Sequence, residues 1–268
     1  MRLKIKHQTV YRYSAPVSRS VQSLRLTPGS DSRQRVLKWQ LDLPGAASEF
    51  IDPFGNVTQL LTVEEPHEEI RIGLQGVVEM SDAPTLDRRD ENLSPLIFLR
   101  ETPLTAADPR LHAFSEEHRN QIASSPAAAL KALMEQIRTA VRYVKGTTTV
   151  QTTAAEVLSQ GSGVCQDHSH LFIACCRILG FPARYVSGYF YSGSETDPAL
   201  AMHAWAEAWV DQVGWLSFDV SNGRPAEGSH LRLAVGRDYL DACPVRGVRF
   251  GGGDETMEVR VQVMTAQQ

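Results

Sequence analysis

Cys165 follows two glycines, Gly161 and Gly163, and precedes a run over residues 171–179 that is apolar on most sides. Such a run reads as a helix buried nearly all round, ended by Gly180 and Pro182, so the thiol falls at or near its first turn. Backbone N–H groups there lack intrahelical acceptors and carry the positive end of the helix dipole, both of which favour thiolate over thiol. The glycines leave room for a substrate backbone, and the Cys165 N–H is placed to help stabilise an oxyanion. A free cysteine is otherwise a small buried apolar residue, and Cys175 and Cys176, deep in the run, fit that description.

A thiol nucleophile needs a base to take its proton and return it to the leaving group, and the base needs an acceptor to orient it. His203 and Asp219 are of the right types. His203 opens the alternation His203-Ala204-Trp205-Ala206-Glu207-Ala208-Trp209, a strand with one polar and aromatic face and one small-residue face. Gly214-Trp215-Leu216-Ser217-Phe218-Asp219 follows after a short connection, so the two runs read as a hairpin. With 209 opposite 214, residue 203 falls opposite 220, and Asp219 comes within one position of the histidine's partner. Taken singly, each residue has a plain structural reading; together, Cys165, His203 and Asp219 point to acyl chemistry at a thiol.

Other clusters carry less. Cys165, Asp167, His168 and His170, with His203, contain metal-ligand types, but 168 and 170 point away from each other on a helix, and no metal site is expected. Asp167 is expected to interact with the helix dipole and the two histidines with nearby carbonyls. Trp205, Trp209 and Trp215 line either a core or an acyl-binding groove. The glycine clusters at 161–163 and 251–253 lack the strand-to-helix context of a phosphate loop, so no nucleotide cofactor is expected.

The elements that must hold these residues fall into two regions. Residues 3–80 read as antiparallel strands broken by turns, with β-formers at Tyr11, Tyr13, 21–26, 36–43 and 70–78 and a hairpin turn at Asp52-Pro53-Phe54-Gly55-Asn56. A Pro- and Asp-rich stretch, 81–95, reads as the exit linker of a β-rich domain over residues 1–95. Over 96–268 the periodicity turns helical. Ser125-Pro126 starts an amphipathic helix that Gly146 ends, Thr153-Ala154-Ala155-Glu156 has capping-box spacing, and Gly161 closes a short helix. Strands are expected over 184–191, 202–210, 214–220 and, within the same region, 257–263.

The composition narrows the partners. With 268 residues, 42% hydrophobic and 22% charged, the chain is an ordinary globular one with enough length for a sizeable core. Lys and Arg total 27 against 31 for Asp and Glu, a net charge of −4, so no nucleic acid partner is expected. No run approaches the ~18 apolar residues of a membrane helix and the first residues alternate charge with aliphatics, so a cytoplasmic, membrane-free location with reduced thiols is expected.

Three blocks in order resemble the bacterial transglutaminase-like superfamily. They are Gly163-Val164-Cys165-Gln166-Asp167-His168 with Gly180-Phe181-Pro182-Ala183-Arg184-Tyr185, the stretch from His203 through Trp209, and Gly214-Trp215-Leu216-Ser217-Phe218-Asp219. The amino-terminal Thr9-Val10-Tyr11-Arg12-Tyr13 and the late Gly236-Arg237-Asp238-Tyr239 extend the resemblance over nearly the whole chain. It implies an α+β fold, a papain-like, transglutaminase-like core behind an N-terminal antiparallel β domain, with Cys165 as nucleophile, His203 as base, Asp219 as orienting acid and no metal or other cofactor. The expected activity is hydrolysis of peptide or amide bonds in a peptide or protein substrate through a thioester. Protein-glutamine transglutaminase activity and a non-catalytic interaction scaffold are the alternatives. The family's common Asp-Pro-Thr-Asn-Gly reads here Asp219-Val220-Ser221-Asn222-Gly223, a departure in the turn after the acid. Gln160 and Gln166 both have the chemistry of a second oxyanion donor, and neither is preferred.

Overall fold

A computed structural model describes residues 1–81, 93–122, 124–193 and 202–266. The linker expected over 81–95 lies largely outside them. The N-terminal region is antiparallel β, as its alternation implies: β1 (Arg2–Thr27), β2 (Gln34–Asp42), β3 (Ala46–Ile51), β4 (Val57–Val63) and β5 (His67–Met80), in the order β2-β5-β1-β4-β3. Residues 11–13 and 21–26 are not separate strands but parts of β1. The Ser14-Ala15-Pro16 interruption is a bend in which the register with β5 shifts between Arg12 and Val17, a site where proline's missing N–H is tolerated.

The core region begins with short 3-10 turns at Pro95–Leu99 and Pro103–Thr105, then α1 (Pro109–Glu116), α2 (Arg119–Ile122) and α3 (Pro126–Ala140). α3 stops before Gly146, where the sequence places its end. Val141 is already extended, and the β-forming 141–144 run instead makes β6 (Arg142–Tyr143). α4 (Ala154–Gln160) has the expected capping box and closes at Gly161, whose φ of 66° is the left-handed conformation that glycine adopts without a Cβ penalty. β7 (Ser162–Gly163) pairs parallel with β6, and α5 (Cys165–Ile178) follows at once.

A four-stranded antiparallel sheet comes next: β8 (Ala183–Phe190), β9 (Met202–Val210), β10 (Gly214–Phe218) and β11 (His230–Gly236), in the order β10-β9-β8-β11. Alternation on β9 divides its faces. Ala204, Ala206, Ala208 and Val210 join Leu171, Phe172 and Cys175 of α5 in one core, small residues that let the helix approach closely. Trp205 packs instead with Val186, Ala226 and Val235, and Trp215 with Phe98, so both are core residues, with the half-buried Trp209 packed against Trp215.

After α6 (Tyr239–Ala242), β12 (Val245–Gly251) and β13 (Glu255–Thr265) run antiparallel to β1. The last strands thus hydrogen-bond into the N-terminal sheet, which has seven strands among the described residues, and not into the sheet that carries His203. Tyr189 and Leu231 of the four-stranded sheet lie in the same apolar cluster as Leu3, Ile5 and Leu74, so one core joins both regions. Among the described residues no helix is long and apolar enough to cross a membrane.

Candidate active site

Cys165 is the first residue of α5, and the loop before it is held from three sides. Arg142 N–H donates to Gly161 O and Val144 N–H to Gly163 O at 3.0 and 2.9 Å, which fastens β6 alongside the loop. Asp167 Oδ2 accepts from Val164 N–H and from the Thr148 hydroxyl, both at 2.7 Å. A Cβ at position 163 would stand 2.7 Å from that of Asp167, so glycine is required for this cap to close. Both ring nitrogens of His168 face carbonyl oxygens, Val164 O at 2.9 Å and Val141 O at 3.0 Å. His170 departs from the expected carbonyl contact: its Nε2 accepts from Tyr239 N–H at 3.1 Å. Asp167, His168 and His170 are thus each engaged with backbone groups and not with one another.

Cys165, His203 and Asp219, far apart in the chain, come together. Cys165 lies close enough to the His203 imidazole to bear on its charge, and His203 Nε2 lies 2.9 Å from Asp219 Oδ1. With Nε2 turned to the carboxylate, Nδ1 is the nitrogen left for sulfur. The Nε2–Oδ1 approach is close but not straight enough for a well-aligned hydrogen bond, the looser geometry usual before substrate binds. Cys165 is half-buried, while His203 and Asp219 are buried. Burial alone would push the His203 imidazole down; Asp219 and Cys165 outweigh it and raise the ring to about 10. Burial opposes ionisation of Asp219 too, but the adjacent His203 and His230 imidazoles hold its carboxyl far below the usual range.

The hairpin register differs by one residue from the sequence-based expectation. Val210, not Trp209, pairs with Gly214, because the turn over 211–213 takes three residues with Gln212 at a positive φ of 67°. Asp219 lies just past the end of β10, where the turn after it supplies donors: Ser221 Oγ at 3.1 Å and Asn222 N–H at 3.3 Å to Oδ1, and the Asn222 amide at 2.7 Å to Oδ2. Of the two glutamines weighed as oxyanion donors, Gln160 is committed elsewhere, its amide donating to Ser162 O at 2.7 Å.

Two residues at the site escaped the sequence reading. His230, the first residue of β11, places Nε2 2.9 Å from Asp219 Oδ2. The Leu231, Leu233, Val235 alternation signals a strand there, but nothing local pairs its histidine with Asp219. Arg33, from the N-terminal region, reaches Glu207 on β9 at 2.7 Å, with Ser217 Oγ and Ala226 O as further acceptors. Among the described residues, His203, Asp219 and His230 also form a group of metal-ligand types. Each imidazole stands 2.9 Å from the carboxylate, a hydrogen-bond spacing, and both carboxylate oxygens carry further donors.

Residues 116–220 match the transglutaminase-like superfamily, and residues 3–79 match the bacterial transglutaminase-like N-terminal region. An uncharacterized protein of Mycobacterium leprae is 30% identical, covering 98% of this chain and 98% of its own. The protein-glutamine gamma-glutamyltransferase of Pseudomonas aeruginosa is 28% identical over 61% of this chain and 26% of its own. A solved structure from Cytophaga hutchinsonii, described as that of a candidate cysteine protease, covers 100% of this chain and 91% of its own. Its TM-score is 0.79 at 22% identity, a likeness of fold.

Proposed function

The chain belongs to the transglutaminase-like superfamily, and from that premise we propose that it is an enzyme, a cysteine-dependent hydrolase of peptide or amide bonds. The observation that carries this reading is Cys165, at the N-terminus of α5, close to an imidazole that is backed by a buried carboxylate. A retired site would have no use for a thiol, a base and an ionised acid at once.

The chemistry follows from the positions. The Cys165 thiol gives its proton to His203 Nδ1 and the thiolate attacks the substrate carbonyl carbon, whose oxygen takes the negative charge, facing the Cys165 N–H that has no intrahelical acceptor. His203 then gives its Nδ1 proton to the departing amine as the C–N bond breaks, leaving a thioester on sulfur and a neutral ring. The ring next takes a proton from water, whose oxygen attacks the thioester carbonyl. The acid leaves and the Cys165–His203 pair is restored. Asp219 holds the ring's orientation throughout and stabilises its charged form.

Transfer to an amine uses the same thioester and differs only in the second nucleophile. The likeness to a protein-glutamine gamma-glutamyltransferase favours that second reading. Incubation of a glutamine-rich protein with and without a labelled primary amine decides between them, with Cys165→Ala as control. New termini or released ammonia without incorporated label supports hydrolysis, and Cys165-dependent incorporation of the label establishes transfer instead.

A further inference from the structure

Asp219 is shared by two imidazoles. Its Oδ1 faces His203 Nε2 and its Oδ2 faces His230 Nε2, each at 2.9 Å. An ionised carboxylate only accepts hydrogen bonds, so His230 Nε2 must carry a proton. His230 Nδ1 lies 3.2 Å from Ser229 Oγ, a hydroxyl able to donate to it. Burial lowers the ring's proton affinity against the pull of Asp219, consistent with a neutral imidazole protonated at Nε2 alone. The groups around it are Asp219, His203 and the guanidinium of Arg224.

The rings are also fixed by packing. Phe190 of β8 lies 4.6 Å from the His230 ring and 5.4 Å from the His203 ring, while Trp205 meets His230 edge-on at 5.3 Å. His230 comes from a different strand and a later part of the chain than the turn that supplies Ser221 and Asn222. It therefore restrains the carboxylate from a direction that the 219–222 turn does not.

We propose that His230 is a positioning residue for Cys165, His203 and Asp219: by donating Nε2–H to Asp219 Oδ2 it keeps the other carboxylate oxygen aimed at His203. This rests on the proposed function, deepening it by a fourth side chain. Without the donor, the carboxylate is free to turn from the His203 ring, and the sulfur–imidazolium pair weakens.

The experiment measures carbamidomethylation of Cys165 by iodoacetamide against pH, read by peptide mass spectrometry alongside thermal unfolding. It needs no knowledge of the substrate. Glutamine carries a side-chain N–H near the place of histidine Nε2, whereas asparagine is too short to reach Asp219. His230→Asn is expected to move the alkaline inflection that reports His203 down by about one pH unit, tenfold in the ion-pair equilibrium. His230→Gln is expected to restore most of it. A folded His230→Asn protein with an unchanged or raised inflection overturns the proposal, as does a Gln variant no better than Asn. A wild-type protein whose Cys165 reactivity is indifferent to His203→Ala fails differently, overturning the proposed function and this inference with it.

Discussion

Arg33 sets its guanidinium 2.7 Å from Glu207 Oε1, on the same face of β9 as His203, and Arg184 holds the other carboxylate oxygen at 2.6 Å. The N-terminal sheet region is thus tied to the strand that carries the candidate base by a buried Arg–Glu–Arg triad. Arg184 in turn lies over Trp215, 4.0 Å from its ring centre.

Removal of the shared anion from this triad should be costly, because it strands two buried cations. Glu207→Ala is expected to destabilise by about 3–5 kcal/mol in chemical denaturation. Burial opposes ionisation of Glu207, but the two arginines hold its carboxyl down to about 2 against an ordinary 4.5. A depressed acid stabilises the fold above its unfolded pKa, so this contribution is present above pH 4.5 and is lost as pH falls toward 2. A wild-type stability curve flat across that window, or a loss below about 1 kcal/mol in the variant, contradicts a buried role.

Thiol labelling should single out one cysteine. Cys175 and Cys176 are buried, and burial pushes their thiols up, Cys175 to about 12; Cys243 is buried with its sulfur against Val245 O. Cys165 is expected to react with a small electrophile at least about tenfold faster than the other three in the native protein. Equal labelling of all four only after unfolding completes the pattern.

The pH dependence of turnover follows from His203. Its raised proton affinity means that the imidazolium required to protonate the leaving group persists until pH approaches about 10, and activity declines above that. The associated stabilisation is fully present below the ordinary 6.5 and lost as pH rises through about 10. Asp219→Asn should move the alkaline limb down and reduce turnover by on the order of 100-fold or more. An alkaline limb that stays in place in Asp219→Asn would separate the carboxylate from the ring's titration.

Gly188 of β8 pairs with His203, and a Cβ there would collide with Leu231 O and stand 2.6 Å from the Trp205 ring. Neither the carbonyl of the buried Leu231 nor a buried indole moves freely. Gly188→Ala should cost about 1–3 kcal/mol, seen as a lowered unfolding midpoint, while Gly29→Ala, with open space around it, should not.

Much of the site was legible before any coordinates. The apolar run after Cys165, the alternation beginning at His203 and the acid closing the next strand are local patterns, and each places its residue at a definite point of an element. The one-residue error in the β9–β10 register arose because the turn length at 211–213 depends on the backbone of Gln212, which residue type alone does not reveal. The helix that Ser125-Pro126 starts ends at Ala140, short of Gly146, for a similar reason. The chain after Ala140 gains more by pairing beside the loop before Cys165 than by adding another turn to α3.

Local order along the chain determined the elements, the helix start at Cys165 and the residue types able to do acyl chemistry, since propensity and periodicity act over a few neighbours. Only the tertiary structure decided that His230 and Asn222 share the Asp219 carboxylate, that Arg33 reaches Glu207, and that β12 and β13 return to β1. Those partners are specified by burial. A charge or imidazole removed from water must find its complement wherever packing has brought one, and that place has no signature in the neighbouring sequence.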